Sequence, residues 1–363
     1  MRVYLDNGAT TQLAPEVFAA MGPFFSEKFG NAQSLHSFGR DAAEAVDNAR
    51  EIIAGKVGCN PEEVIFTSGG SESNNSAIVG VASALKNKGR HIITSQFEHV
   101  SVLEACKRLE KDGFEVTYLP VSKDGFVSID KLNSAIRKDT ILVTIMHANN
   151  EIGTIQPVEE ISKLCKERGI IFHTDAIQSF CKAKLPAADL ISLSAHKLHG
   201  PKGIGALIIR NKTSFTPFLV GGPHEFNRRA GTQNVPGIVG FAKAVELFTD
   251  DDVQHMQKLR DYFISQLSNV SVLNGSHNFR LCNNINLGFP KYEAESLMLK
   301  LDEKGIACSM GSACHAHQLA PSHVLKALNL PPELLLGSLR FVLSKYTTKE
   351  EIDYTIKQIR ECL

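Results

Sequence analysis

Between residues 40 and 210 the hydrophobic pattern changes period repeatedly. Ala42, Ala45, Val46, Ala49, Ile52 and Ile53 recur at helical spacing and predict a helix over 41–56. "EVIFTSGG" (63–70) then reads as a short buried strand ending in a glycine turn. "SESNNSAIVGVASALKNKG" (71–89) opens with Ser and Glu and stops at a glycine, as a helix does. "HIITS", "EVTYLP", "TILVTIMHA" and "GIIFHTDA" are further β-branched runs, and "VEEISKLCKERG" is a helix between the last two. Residues 190–194 and 204–209 are two more strands around a His-Lys pair and a cluster of glycines. Such alternation predicts an α/β fold: a mostly parallel sheet with helices on both faces. Ligands of such sheets sit at the carboxyl ends of the strands.

After about residue 250 the pattern changes. "VQHMQKLRDYFISQL" is helical, and "NNINLGF", "EAESLMLKLDEKG", "IACS" and "SLRFVLS" follow as a small α+β lobe. It ends in the helix "TKEEIDYTIKQIREC". The expected division is a large domain over 15–250 and a smaller one made of 1–14 and 251–363.

Composition narrows the function. In 363 residues, 39 basic and 39 acidic side chains cancel, so no net field favours nucleic acid or membrane. No apolar run is long enough to span a bilayer. "MRVYLDNGATT" lacks the basic-then-apolar order of a signal peptide, so a cytoplasmic protein is expected. The eight cysteines are scattered without a CxxC pair, which predicts reduced thiols rather than a disulfide framework.

Candidate chemistry collects at the predicted strand ends: 68–71, Glu98 and His99, 147–151, 175–178 and 194–197. Gly70 and Ser71 open a helix after a strand, where backbone N–H groups and the helix dipole can cradle a phosphate. The turn is neither a Walker pattern nor GxGxxG, and alone it is an ordinary turn. Asp175 ends an apolar strand, where a carboxylate is costly unless paired. It either caps the next segment or partners a ring cation. Lys197 is an exposed turn lysine, or a desolvated one whose lowered pKa makes its amine a nucleophile for carbonyl ligands. A phosphate cradle, a strand-end acid and such a lysine together fit pyridoxal phosphate. His99 can lie flat on that ring, or be an ordinary loop histidine.

"YLDNGATT", "HANNEIGTIQP", "HTDAIQS" and "SAHKLHGPKGIGAL" together resemble the cysteine desulfurases of the NifS/IscS type. These are class V members of the fold type I pyridoxal phosphate enzymes. The resemblance runs from residue 4 to about 357. It implies a seven-stranded, mostly parallel sheet between helices. It implies that Lys197 binds the cofactor's aldehyde, Asp175 partners the ring nitrogen and Gln178 donates to the phenolic oxygen. Gly70, Ser71, Ser194 and His196 match phosphate-side contacts, and His99 matches the stacking histidine. Asn150 matches a residue near both cofactor and substrate carboxylate, and Arg340 matches the arginine that forks onto that carboxylate. Thr232, in "RRAGTQN", matches a residue that reaches the neighbouring subunit's phosphate, so a homodimer is implied.

Two cysteines compete to carry sulfur in "KGIACSMGSACHAHQLAPSHVL". Cys308 lies beside a strand-like run. Cys314 follows small residues and fills the family's "GSAC" motif, so Cys314, Lys197 and His99 are the catalytic residues implied. Cys314, His315 and His317 also resemble zinc ligands, but no second ligand pair accompanies them and no metal is expected. Three positions depart from the family pattern: "GNAQS" at 30–34, "GGS" at 69–71 and the His-Ala-His after Cys314.

The expected activity converts L-cysteine to L-alanine and leaves a persulfide on Cys314. The sulfur would pass to an acceptor such as an iron–sulfur scaffold or a tRNA-modifying protein. The competing readings are another class V enzyme, an aminotransferase or selenocysteine lyase, and a sulfur-carrying scaffold without the cofactor.

Overall fold

The computed structural model describes residues 1–310 and 322–363. Its strands in chain order are β1 (Val3–Tyr4), β2 (Val64–Thr67), β3 (His91–Ser95), β4 (Glu115–Leu119), β5 (Thr140–Thr144) and β6 (Ile171–Asp175). β7 (Leu190–Ser194), β8 (Gly205–Ile209), β9 (Val272–Leu273), β10 (Asn284–Gly288), β11 (Ile306–Ala307) and β12 (Ser338–Val342) follow. Seven of them form one sheet in the order β2-β8-β7-β6-β5-β3-β4. The pairs from β7 through to β4 are parallel, and only β8 runs against its two neighbours. The mostly parallel sheet read from the alternation is therefore present.

The strands read as continuous apolar runs because both faces are covered. Along β8 the side chains alternate: Ala206 and Ile208 join one core cluster, Leu207 and Ile209 the other. The helix Gly70–Leu85 lays Ala77, Ile78, Val81, Ala82 and Leu85 on one side. The helices Ser37–Val57 and Val235–Glu246 pack on the other with Val46, Ile53, Ile238 and Phe241. The first of these begins earlier than its apolar stripe. The His36 ring accepts from the Gly39 amide and caps the helix four residues upstream of the start predicted from periodicity. The helices Val100–Lys111 and Val235–Glu246 did not stand out in the sequence. The second contains Pro236, Gly237 and Gly240, which weaken any local helical signal, and its burial decides its state.

β12, β10 and β9 form a second, antiparallel sheet, and β1 pairs with β11. Asp6 then bridges to Val342 beside β12. The chain's first residues thus pair with strands near its end, and residues 8–14 cross from there to the large sheet.

The register aligns the functional ends. Asp175 pairs with Ser192, Ser194 with Gly205, and Gly205 with Thr67. The carboxyl ends of β2, β7 and β6 therefore lie side by side. Gly205 is required there: a Cβ would meet Leu193 O at 2.6 Å and Gly69 Cα at 2.9 Å.

One buried ion pair secures this side of the sheet. Arg50 donates to Glu225 at 2.9 and 3.0 Å and lies between the rings of Phe66 and Phe226, 4.7 and 4.9 Å from their centroids. Glu225 also accepts from the Phe66 amide and from Gln233. Residues 225, 226 and 227 are all left-handed, with φ of 46, 56 and 60°. Non-glycine residues adopt that conformation only where their surroundings hold them there. Arg50→Met leaves Glu225 buried and uncompensated, and is expected to cost about 3–5 kcal/mol, read as a lower denaturant midpoint at unchanged slope.

Candidate active site

The strand ends converge on a cavity of about 240 Å³. Gly70, Ser71, His99, Asn150, Asp175, Gln178, Ser194, His196, Lys197 and Arg340 all line it. Ten residues singled out from sequence, spread over 270 positions, are thus brought together. Thr232 is not among them. It lines a separate cavity of about 130 Å³ with Ser68, Glu225 and Arg229. Cys314 lies outside the described residues.

Lys197 sits on the 3₁₀ turn that ends β7. Its Nζ donates to the carbonyls of Gly8 and Ala9, both at 2.6 Å. Burial, then the nearby Arg340 guanidinium and Lys182, bring its pKa down to about 7. The turn is strapped in place by the chain's start. The Thr11 amide and hydroxyl donate to the His196 carbonyl, and the His199 amide donates to Thr11 Oγ1. Gly8 is needed for this approach, since a Cβ would meet Val342 Cγ2 at 2.8 Å and Arg340 Cζ at 3.4 Å. His196 is held neutral, its pKa pushed down to about 3 by burial and then by Lys197.

Asp175 ends β6 and is buried. Its Oδ1 accepts from the Ile177 amide at 3.0 Å and its Oδ2 from Asn74 Nδ2 at 2.7 Å. Gln178, on the following turn, donates to the Gly8 carbonyl at 3.0 Å. His99 caps the helix Val100–Lys111, and its Nδ1 accepts from the Ser101 amide. Arg340 is 1% exposed, which removes the surface alternative for it. Its Nη2 pairs with Asp6 at 2.8 Å and its Nη1 donates to the Asn150 carbonyl at 3.2 Å. The turn that carries Asn150 is fixed by Asn149, whose Oδ1 accepts from the amides of Glu151 and Ile152.

Of the buried side-chain atoms without a partner among the described residues, two belong to residues that line the cavity. Ser194 Oγ and Arg340 Nε are buried with no hydrogen-bond partner among the described residues. Such groups are rare in folded proteins, and each calls for an explanation. Ser194 shares that cavity with the helix start at Gly70, before which Gly69 takes φ of 149° and ψ of −175°, a conformation essentially confined to glycine. A buried hydroxyl, a helix N-terminus, an amine of low pKa and a buried carboxylate on one cavity suit a phosphorylated ring carrying an aldehyde.

A family model described as aminotransferase class-V matches residues 3–355. The chain belongs to the class V aminotransferases. It is 54% identical to a protein named cysteine desulfurase IscS from Dictyoglomus turgidum, over 98% of this chain and 92% of that one. A solved NifS-like protein superposes with a TM-score of 0.94 at 39% identity, covering 99% of each chain. A structure titled SspA in complex with cysteine superposes with a TM-score of 0.86 at 38% identity, over 95% of this chain and 100% of that one. The sheet and the strand-end cavity are thus those of a class V fold.

Asp6, Gly8, Ala9, Asn74, Ser101, Met146 and Ile177 were given no role of their own from the sequence, yet they build or brace this class V cavity. Asp6 had a signal: a carboxylate directly after the apolar run that ends at Leu5. Asn74 and Ser101 had none, because polar residues near helix starts are ordinary.

A lysine that loses its proton near neutrality is nucleophilic where others are not. Modification of Lys197 by a small aromatic aldehyde, trapped with borohydride and mapped by mass spectrometry, should rise with pH and level off above about 7, far below the ordinary lysine value of 10.5. Arg340→Gln removes a neighbouring positive charge, so the inflection should move to higher pH.

Proposed function

We propose that the chain is a pyridoxal-phosphate-dependent cysteine desulfurase that converts L-cysteine to L-alanine and an enzyme-bound persulfide on Cys314. The observation that carries this is the single cavity where the low-pKa amine of Lys197, the buried carboxylate of Asp175 and the unpartnered hydroxyl of Ser194 meet. Similarity to a named desulfurase over nearly the whole chain, and to a structure titled as holding cysteine, supports the substrate.

Roles follow from position. Lys197 Nζ would hold the cofactor's aldehyde carbon, and Ser194 Oγ, His196 and the amides at Gly70 and Ser71 would hold its phosphate. Asp175 would partner the ring nitrogen, Gln178 would donate to the phenolic oxygen and His99 would cover the ring. Once bound, the cofactor supplies an electron sink for charge left on the substrate's carbon. Arg340 Nε, buried and unpartnered, is the donor available to the substrate carboxylate, with Asn150 beside it. A free Lys197 amine takes the α-proton at Nζ, within reach of its pKa of about 7. The Cys314 thiolate would attack the substrate sulfur and keep it as a persulfide, while the carbon–sulfur electron pair stays with carbon, which takes up a proton and leaves as alanine. Cys308 is poorly suited to that step, because burial pushes its thiol up to about 12.

The remaining assignments rest on separate observations. Exposed Phe18, Phe25, Phe29, Leu35 and Phe38 favour a homodimer, in which Thr232 acts on the partner's site rather than its own. Pairing of β1 with β11 favours a smaller domain of 1–14 and 251–363 against a larger one of 15–250. No helix among the described residues is long and apolar enough to cross a membrane; the cytoplasmic location and an acceptor such as an iron–sulfur scaffold belong to this reading through its likeness to proteins named cysteine desulfurase IscS.

The deciding experiment incubates the protein with L-cysteine and a reductant and measures alanine and sulfide together. Equal amounts of both are expected in the wild type and neither in Cys314→Ser. Alanine or pyruvate production that survives in Cys314→Ser would point to a class V enzyme of another activity. A protein that stays colourless after addition of pyridoxal phosphate would point to a scaffold.

A further inference from the structure

A buried chain of hydrogen bonds runs behind the cavity from Asp175 to His99. Asn74 Nδ2 lies 2.7 Å from Asp175 Oδ2 and 2.9 Å from Ser101 Oγ. Ser101 Oγ lies 2.8 Å from His99 Nδ1, and the Ser101 amide reaches the same nitrogen at 3.2 Å. Asn74 is completely buried and Ser101 nearly so. Asn74 comes from the helix Gly70–Leu85 and Ser101 from Val100–Lys111, so the chain also joins two helices.

The polarity of this chain is determined. An ionised carboxylate only accepts, so the amide atom facing Asp175 must be the donor Nδ2. That orientation leaves Asn74 Oδ1 buried without a partner among the described residues, yet the flipped amide would set an oxygen against the carboxylate. The second Nδ2 proton goes to Ser101 Oγ. Ser101 Oγ accepts there and keeps its proton free to donate, and His99 Nδ1, which accepts from the Ser101 amide, is the acceptor within reach. With two donors directed at Nδ1, the neutral ring carries its proton on Nε2.

We propose that Asn74 is a positioning residue: through Ser101 it ties the carboxylate of Asp175 to His99 and fixes His99 as the Nε2-protonated tautomer. The proposal rests on the cofactor reading only for what the cavity binds. Asn74 aims Asp175 at the ring nitrogen and sets which edge of His99 is a donor, so one side chain sets two groups that contact the same ligand. Ser101 serves only the His99 half.

The test uses histidine labelled with ¹⁵N in the cofactor-free protein, His99 being identified by the signal lost in His99→Gln. Proton–nitrogen correlations should show Nε2 protonated and Nδ1 bare. Ser101→Ala should move the Nδ1 resonance while leaving pyridoxal phosphate affinity, read by absorbance titration, within about threefold. Asn74→Ala should move the same resonance and weaken that affinity by about tenfold or more, the scale of a lost hydrogen bond to a charged group. A proton on Nδ1 of His99 in the wild type overturns the proposal. So does an Nδ1 resonance unmoved in Ser101→Ala, which decides the matter even if Asn74→Ala does not fold. Failure of the wild type to take up the cofactor would instead sink the functional reading, since the tautomer is measured without it.

Discussion

The contact between Lys197 Nζ and the carbonyls of Gly8 and Ala9 joins the two ends of the molecule's logic. A lysine amine taken from water needs acceptors, and here they come from the chain's own beginning rather than from a carboxylate. Carbonyl dipoles hold the amine in place but compensate a full positive charge poorly. Burial therefore dominates and lowers the pKa to about 7. The same stretch of chain supplies Asp6 to Arg340 and a backbone acceptor to Gln178. One short strap thus sets Lys197, Arg340 and Gln178 relative to each other.

The cavity is a balance of charges held at close quarters. Lys197, Arg340 and Lys182 are cationic neighbours, and Asp6 and Asp175 oppose them. Lys182 lies behind the site, buried, donating to the carbonyls of Gln178 and Lys197, its pKa lowered by burial. It ties the turn carrying Gln178 to the turn carrying Lys197. Charges this close in a partly dry site interact far more strongly than on a surface. The charged groups around the cavity therefore tune the amine of Lys197, and replacing one of them alters the protonation of another.

Precision at such a site comes from what surrounds the contacting residues. Asn149 shapes the turn of Asn150, Thr11 straps the turn of Lys197, and Gly69 lets the helix start approach the cavity. Each acts through backbone geometry or hydrogen bonds. None would be picked out by its own chemistry.

The local pattern determined much of this protein. Alternating periods gave the strands of the large sheet and most of the longer helices, because burial on both faces leaves continuous apolar runs in the strands and stripes in the helices. Residues such as Asp175 and Lys197 were legible because a charge at the end of an apolar strand is costly without a purpose. Arg340 was legible through the family resemblance, with the apolar run around it speaking against a surface position. Folding alone decided the rest. The helix Val235–Glu246 owes its state to packing that outweighs its glycines. Asp6 meets Arg340, and Asn74 meets both Asp175 and Ser101, through contacts between residues far apart in the chain. Periodicity and composition report only on neighbours along the chain, whereas a hydrogen bond between distant segments exists only once the sheet register has placed them side by side.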